Sequence, residues 1–317
     1  MRISNQTVYD TVTYNLAKVS DAMLRANQMV SSGKRINRLS DDPVGLVSVM
    51  NLRSSLEEIG QLERNINMGE SWLNMGESAL ARIEDILTET KTLCIQMANA
   101  TQSEAERADA AVVVEGHLQQ VLSLANTRVD GRYIFSGTKT DTAPYALHEG
   151  DPSDPTDPTT VIYQGNDKAF EVRIARGMNV AAGRVGSEIF GSWGNDPGDD
   201  WSDPAAGTDN IFKTLIDLKA NLQGNDVNGI RTAMTELDEQ MDNLRSLTSD
   251  TGAKLLRMES KENIIQDLKL TYLERKSDIE DADMAEAIME LRAKETAYQA
   301  ALASSAKVMK MSLVDFL

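Results

Sequence analysis

The chain has 317 residues, a mass of 34.8 kDa and a formal net charge of −17 at pH 7. A strongly acidic chain is poorly suited to bind a nucleic-acid polyanion, so we expect no nucleic-acid partner. No stretch approaches the roughly 18 apolar residues that a membrane-spanning helix needs, so we expect no membrane partner either.

Helix breakers are concentrated in the middle of the chain. Six of the seven prolines and eleven of the twenty glycines lie between Gly131 and Gly207. The flanking regions therefore favour long helices, and the middle favours turns and short strands. We predict a mainly α fold with a small β-rich insertion. In this fold, long helices from both chain ends form an elongated, coiled-coil-like bundle, and a central β-containing outer domain interrupts it.

The first helical stretch has the pattern of a coiled coil. Its apolar residues recur in alternating steps of four and three, which is the spacing of positions that face a partner helix. We predict an N-terminal coiled-coil arm over residues 1–42, flexible in the monomer because so thin an apolar seam is marginal in water on its own. The predicted seam residues are Val12, Leu16, Val19, Met23 and Val30.

The sequence SSGKRINRLSDDPVGL, at residues 31–46, interrupts this helical pattern. Asp42 before Pro43 is typical of a helix start, because the carboxylate can accept from free N–H groups and proline lacks the N–H that would otherwise stay unpaired. Gly33 lies where the C-terminal cap of the first helix is expected. We interpret residues 33–41 as a joint between two helices. The predicted joint and cap residues are Gly33, Arg35, Asp41, Asp42 and Pro43.

A phosphate-binding loop and a catalytic turn are alternatives for the same stretch. Gly33–Lys34 is similar to the end of a phosphate loop, but Gln28 stands where such a loop needs glycine, and no strand is expected before it. Ser31 and Lys34 have the spacing of a serine–lysine catalytic pair, a pattern short enough to occur often by chance. We therefore favour the joint.

Helical periodicity resumes after the joint. It predicts a long helix up to a break at about Asn99–Ser103, and a further helix from roughly Glu104 to Val129. Residues 43–130 are thus predicted to form the N-terminal part of a helical core domain.

The middle region, residues 131–207, has the periodicity of strands. Phe170, Val172 and Ile174 alternate with charged residues, as in a half-buried strand. We predict that this region forms an acidic, β-rich outer insertion. Its predicted parts are a strand at 132–137, a hairpin over 161–174 that turns at Gly165–Asp167, and loops at 149–158 and 191–207.

Helix is predicted again from about Asp209, with a break at Gly224–Asn228. Residues 208–277 are the predicted C-terminal part of the helical core domain, and residues 278–317 a C-terminal coiled-coil arm. Asp283, with Glu286 three residues later, is placed to start the last helix. Because both chain ends share this design, the two arms are natural partners. The predicted seam of the second arm is Ile288, Leu291, Tyr298, Leu302, Met309 and Phe316.

The sequence contains no recognisable catalytic pattern. The two histidines, His117 and His148, cannot supply a histidine-rich metal site. Cys94 lacks the histidine and asparagine partners that a thiol nucleophile needs. We predict no catalytic, cofactor-binding or metal site, and we do not expect an enzyme.

Several segments resemble bacterial flagellins and hook-associated proteins. SSGKRINRLSDDPVGL resembles the N-terminal signature of that family, and SDIEDADMAEAIMELRAKETAYQAALASSAKVMKMSLVDFL resembles its C-terminal segment. DTGAKLLRME, at 250–259, is similar to a further family stretch. DGRYIFSGTKTDTAPY, at 130–145, resembles the hook-associated branch, whereas flagellins do not usually carry that segment.

The resemblance implies a structural protein of the bacterial flagellum, located outside the cell. It would join the hook, through the first hook-associated protein, to the flagellin filament, and would form a ring with copies of itself. Export would occur unfolded through the flagellar export apparatus, with an export chaperone on the C-terminal arm. The first fifteen residues have no apolar signal-peptide core, which fits export without a cleaved signal. A flagellin filament subunit and a cytoplasmic coiled-coil scaffold protein are the alternatives.

Overall fold

The computed structural model describes residues 2–148, 159–175, 177–191 and 210–314. Within these residues the predicted mainly α fold with a β-containing middle is confirmed. The predicted loops at 149–158 and at nearly all of 191–207 lie outside them. The elements are α1 (Arg2–Ser32), α2 (Pro43–Met97), α3 (Glu104–Ala125), β1 (Arg128–Val129), β2 (Arg132–Tyr133), β3 (Tyr145–His148), β4 (Thr160–Tyr163), β5 (Glu171–Ala175), β6 (Met178–Ala181), α4 (Gly186–Phe190), α5 (Ile211–Gln223), α6 (Val227–Glu280) and α7 (Met284–Val314).

The chain divides into two compact units. The first unit comprises Met1–Gly60 and Gln266–Leu317, and the second comprises Gln61–Ile265. These boundaries fall inside α2 and α6. The boundaries expected from the sequence followed breaks in helical periodicity, whereas the compact units follow packing, so the two criteria divide the chain at different positions.

In the first unit, α1 packs against α7. Ala26 on α1 and Ala287 and Ser305 on α7 are buried, while the larger side chains between them are only half-buried. Small residues allow two helices to approach closely but bury little apolar area, so this pair gains little from the hydrophobic effect. No helix among the described residues is both long and apolar enough to cross a membrane.

The second unit has a large apolar core. Helices α2, α3, α5 and α6 each contribute residues that are fully buried, including Ile83, Val114, Leu215 and Leu237. The strand region adds an aromatic cluster, in which the ring of Tyr145 lies 5.2 Å from Phe190 and 5.0 Å from Phe212. Aromatic rings at these separations contribute packing and a favourable quadrupole interaction. This core sets the stability of the second unit.

The predicted hairpin over residues 161–174 is wrong. Strand β4 pairs with β3, and β5 pairs with β6, each pair being antiparallel. Asn166, in the expected turn, instead connects to an earlier part of the chain: its side-chain oxygen accepts from the N–H of Thr138 at 2.9 Å. The predicted strand at 132–137 is also shorter, since β2 covers Arg132 and Tyr133 and pairs with β1 across an Asp130–Gly131 turn. Both turn residues have positive φ, which an Asp-Gly pair tolerates well.

The predicted break at Asn99–Ser103 is confirmed, and the buried side chain of Arg107 organises it. Its Nε donates to the carbonyl of Met97 at 2.9 Å, and one Nη donates to the carbonyl of Asn99 at 2.9 Å. The other Nη donates to the side-chain oxygen of Asn225, in the turn between α5 and α6. One guanidinium thus satisfies carbonyl groups at the end of α2 and ties two turns of the second unit together.

We expect Arg107→Lys to destabilise the second unit. Lysine cannot reproduce the fork of donors, and each buried carbonyl left unpaired costs about 1–3 kcal/mol. The measurement is urea unfolding followed by circular dichroism. Arg231→Lys, at an exposed position of α6, is the matched control and should stay within about 0.5 kcal/mol of the wild type. Equal effects of the two substitutions would contradict this role of Arg107.

His117 on α3 contacts the buried Thr90 of α2. The Thr90 hydroxyl donates to the carbonyl of Ile86 at 2.7 Å and lies 2.7 Å from His117 Nδ1. The hydroxyl and Nδ1 are thus within hydrogen-bond distance, and the tautomer of His117 decides which of them donates. Burial lowers the pKa of His117 below 6.5, and the Glu89 carboxylate, 3.9 Å from Nε2, offsets this only in part.

We therefore expect a pH-dependent loss of stability from His117. The folded pKa is lower than the unfolded pKa, so the stabilisation is complete above about pH 6.5 and is lost as the pH falls through the folded pKa. His117→Asn should flatten the dependence of the unfolding free energy on pH between about pH 7 and pH 5. Gln119→Asn, at an exposed position of the same helix, should keep the wild-type slope. A wild-type slope in His117→Asn would exclude this histidine as the source.

The joint and the terminal helices as a candidate assembly site

Gly33 ends α1. Its N–H donates to the carbonyl of Met29 at 2.9 Å, and its φ is +69°, the left-handed conformation in which a helix commonly ends. A residue with a side chain would be strained at this φ. The chain therefore leaves the helix axis at this glycine and enters the joint.

Asp42 begins α2 and Asp41 closes the joint before it. The Asp42 carboxylate accepts from the N–H of Gly45 at 2.8 Å, which is the bond of an N-cap, and Pro43 takes the first helical position. The Asp41 carboxylate accepts from the N–H groups of Asn37 and Arg38, at 3.1 and 2.8 Å. These bonds engage both adjacent carboxylates of the joint.

A second turn, between α6 and α7, pairs with the joint. The carbonyl of Glu280 accepts from the N–H of Arg35 at 2.8 Å and from that of Ile36 at 3.4 Å, and the N–H of Ala282 donates to the carbonyl of Gly33 at 2.9 Å. Lys34 and Asp281 form an antiparallel bridge. The Arg35 side chain adds a bond to the carbonyl of Ile279 at 2.8 Å. We call these paired segments, residues 33–36 and 280–282, the clasp.

The carboxylate of Glu280 is the charged centre of the clasp. Its side chain is 4% exposed, and its Oε1 accepts from Lys34 Nζ and from Arg53 Nη2, each at 2.5 Å. Lys276 Nζ lies 3.7 Å from the other oxygen. Burial alone would raise the pKa of Glu280, but the hydrogen bonds and charges of Lys34 and Arg53 outweigh it and hold the pKa below 4.5. The carboxylate is therefore ionised at neutral pH.

Sequence reasoning did not identify Glu280. The available signal was charge complementarity, since the joint carries Lys34 and Arg35 and the end of α6 carries Asp278, Glu280 and Asp281. No local sequence pattern predicts that the joint pairs with a turn so far away along the chain. The complementary charges could therefore be interpreted only from the structure, in which the two turns lie side by side.

A surface cavity of about 410 Å³ lies beside the joint, between α1 and residues Glu290 and Lys294 of α7. The cations around it are already engaged, which argues against a phosphate site there. Arg38 donates to the side chain of Gln28 at 3.0 Å. The ion pairs are Arg25 with Asp21 at 3.0 Å, Arg35 with Asp42 at 3.5 Å, and Lys294 with Glu290 at 3.6 Å.

The predicted seam of α1 lies toward α7 but is incompletely covered. All five predicted residues are half-buried: Val12, Leu16, Val19, Met23 and Val30. Outside this seam, α1 exposes large apolar side chains. Tyr9 is 54%, Tyr14 69% and Leu24 57% exposed.

The predicted seam of α7 contains residues from two faces. Leu291 and Tyr298 are half-buried, whereas Ile288 and Leu302 remain 41% and 42% exposed. Nothing is described for the Met309 side chain, and Phe316 lies outside the described residues. The covered positions of α7 recur in alternating steps of four and three: Ala287, Leu291, Lys294, Tyr298, Ala301 and Ser305. Ile288 and Leu302 each directly follow a covered residue, and successive side chains on a helix point about 100° apart. Both residues therefore point away from the covered face.

Comparison with known proteins agrees with this architecture. The family model for the bacterial flagellin N-terminal helical region matches residues 3–140, and the model for the bacterial flagellin C-terminal helical region matches residues 234–317. Together they match more than half of the chain. The chain belongs to the flagellin family of bacterial flagellar proteins.

Within this family, the chain is similar over nearly its whole length to flagellar hook-associated protein 3. The protein of Salmonella typhimurium is 24% identical over 99% of this chain and 98% of its own length. A flagellin of Listeria innocua is 22% identical over 92% of this chain and 90% of its own length. The crystal structure of hook-associated protein 3 from Legionella pneumophila, 17% identical, covers 73% of this chain and 99% of its own, with a TM-score of 0.59, and so shares the fold.

We expect the double substitution Asp42→Ala and Pro43→Ala to loosen the joint. It removes the N-cap of α2, which costs about 0.5–2 kcal/mol, and it permits α1 and α2 to continue toward each other as helix. Hydrogen exchange should become faster in residues 33–46, while exchange in the core of the second unit stays at the wild-type rate. Ser48→Ala, in the first turns of α2, is the control. Unchanged exchange in 33–46 would show that the cap does not hold the joint.

Proposed function

We propose that this chain is a structural component that joins the hook of the bacterial flagellum to the flagellin filament. The observation that carries the proposal is the full-length similarity to hook-associated protein 3, which includes the middle region that the two flagellin models leave unmatched. Its location is then extracellular, at the hook–filament junction.

The proposed partners are the first hook-associated protein on one side, flagellin on the other, and further copies of this chain beside it. The support is the apolar surface that remains after α1 and α7 have paired. Exposed large apolar residues on both helices, including Tyr14, Leu24 and Met289, are unfavourable in water and typical of a surface that another chain covers.

The proposed role involves no catalysis. Within the described residues no group of three or more histidine, cysteine or acidic side chains is arranged to hold a metal ion. Burial raises the pKa of the Cys94 thiol to about 12, so the thiol stays protonated and is a poor nucleophile at neutral pH. The support for a structural protein is the similarity to flagellar hook-associated proteins.

We further propose export in an unfolded state through the flagellar apparatus, without a cleaved signal, and with a chaperone on the C-terminal arm. The thin seam of the α1–α7 pair supports arms that order weakly in the monomer. Brief proteolysis of the purified monomer should therefore cleave within α1 and α7, the helices of the two arms, before it cleaves the second unit. Intact termini under those conditions would contradict weak order.

A flagellin filament subunit is the second candidate, favoured by the similarity to the Listeria innocua flagellin over 92% of this chain. Seeded polymerisation separates the two functions. A filament subunit elongates seeds into long filaments, whereas a junction protein adds to hook ends and stops. Mass spectrometry of purified flagella gives an independent answer, since a filament subunit is abundant and a junction protein is scarce.

We expect Leu302→Asp to impair assembly without weakening the monomer. Leu302 is 42% exposed in the α1–α7 pair, so a charge there should change the unfolding free energy by no more than about 0.5 kcal/mol. A partner chain that covers this face would have to bury the charge, which is severely unfavourable. Cells that carry the variant should shed filaments into the medium.

Two matched variants serve as controls for filament shedding by Leu302→Asp. Ser304→Asp, exposed on the same helix, should retain filaments, whereas Leu291→Asp, half-buried against α1, should weaken the pair itself. Export of each variant must be measured in parallel by its appearance in the medium. Filament retention by an exported Leu302→Asp protein would remove this face from the proposed interface.

A further inference from the structure

Three parts of the chain meet at one carboxylate in the first unit. Glu280 is the last residue of α6, Lys34 lies two residues after the end of α1, and Arg53 lies within α2. Helix α7 begins four residues beyond Glu280. The Oε1 of Glu280 accepts from both basic side chains at 2.5 Å, while its own backbone carbonyl accepts from the joint. Glu280 thus contacts the joint at two places and α2 at a third.

Stability does not explain a charged group at this position. Burying the carboxylate is costly, since its side chain is 4% exposed, whereas the side chains of Lys34 and Arg53 stay 39% and 48% exposed. Apolar side chains of similar volume can replace a buried ion cluster without loss of stability. The ion cluster instead fixes the relative orientation of the segments that it joins. An oxygen that accepts from two donors fixes the position of both, and apolar contacts do not impose such a constraint.

The backbone hydrogen bonds of the clasp do not extend to the body of α2. The three backbone bonds link residues 33–36 with 280–282 and reach no further into α2 than the joint itself. The Arg53 side chain extends the contact to the third turn of α2. The carboxylate of Glu280 therefore adds a link from the paired turns to the body of α2, beside the ion pair of Arg35 with Asp42 at the start of that helix.

We propose that Glu280 is a positioning residue for assembly. By holding Lys34 and Arg53 together, it fixes the direction in which α1 and α7 leave the clasp, and only that direction lets a subunit enter the junction. The proposal rests on the function proposed above. The partner in this step is a neighbouring flagellar subunit that receives the exposed faces of α1 and α7.

The test substitution is Glu280→Gln, which keeps the shape and removes the charge. Glu274→Gln, at an exposed position of the same helix, is the matched control. Hydrogen exchange in the purified monomer should become about ten-fold faster in residues 33–36 and 280–282, because charge-assisted hydrogen bonds are replaced by weaker ones. Exchange in the second unit should stay unchanged. A rise spread along all of α6 and α7 would indicate general destabilisation and overturn the proposal.

Incorporation is measured on purified hooks that carry the first hook-associated protein. The Glu280→Gln protein should add to hook ends about ten-fold less than the control protein. The reason is that weaker hydrogen bonds lower the population of the conformation that can assemble. The triple variant Lys34→Met, Arg53→Met and Glu280→Met tests the role of direction. It should have the unfolding free energy of the wild type but should still add poorly to hook ends. The reason is that apolar contacts stabilise the protein without fixing the orientation of its helices.

The outcomes separate this inference from the proposed function. If the wild type itself does not add to hook ends, the proposed function fails. If the wild type adds and Glu280→Gln adds equally well, the positioning role fails while the function stands. Full incorporation by the triple variant would likewise overturn the positioning role, since the charges would then be dispensable.

Discussion

The pairing of the joint with the turn between α6 and α7 is the contact on which the first unit depends. A helix that ends leaves backbone groups without partners, and this unit contains two interruptions, one between α1 and α2 and one between α6 and α7. Each supplies what the other lacks: the carbonyl of Glu280 accepts from Arg35 and Ile36, and the carbonyl of Gly33 accepts from Ala282. Neither turn satisfies these groups alone, so the interruptions stabilise one another and both pairs of helices become linked at one place.

The two units differ in how apolar surface is distributed. In the second unit, residues such as Leu87 and Phe212 are completely buried, and burial of that extent contributes about 1.5–3 kcal/mol for each large side chain. In the α1–α7 pair the covered positions include alanine and serine, while Tyr14 and Leu24 face outward. The second unit thus buries large apolar side chains completely, whereas the terminal helices leave several of theirs exposed, as on a surface suited to contact another chain.

The sequence predicts features whose cause is local. The start of α2 follows from Asp42 and Pro43, and the break before α3 follows from Ser103, whose side chain and that of Glu106 form a reciprocal cap. The strand pairing was not predictable in this way, because β4 could pair with the strand before it or the strand after it, and residues 149–159 separate it along the chain from its partner β3. On α7, periodicity identified a seam but not which of two neighbouring faces α1 covers, so Ile288 and Leu302 were grouped with Leu291. The spacing of apolar residues is a local property of the sequence, whereas the face of the helix that becomes covered depends on the partner helix.

Glu280 illustrates why the candidate site needed the fold. A glutamate near the end of a helix is ordinary, and the helix dipole there disfavours its charge. It becomes distinctive only when Lys34 and Arg53 are found at its oxygen, with the desolvation of the carboxylate offset by two charged donors. Such a cluster has little net effect on stability but tolerates little change in geometry. In the proposed role the terminal helices contact neighbouring subunits, and defined geometry at the joint then matters more than extra stability there.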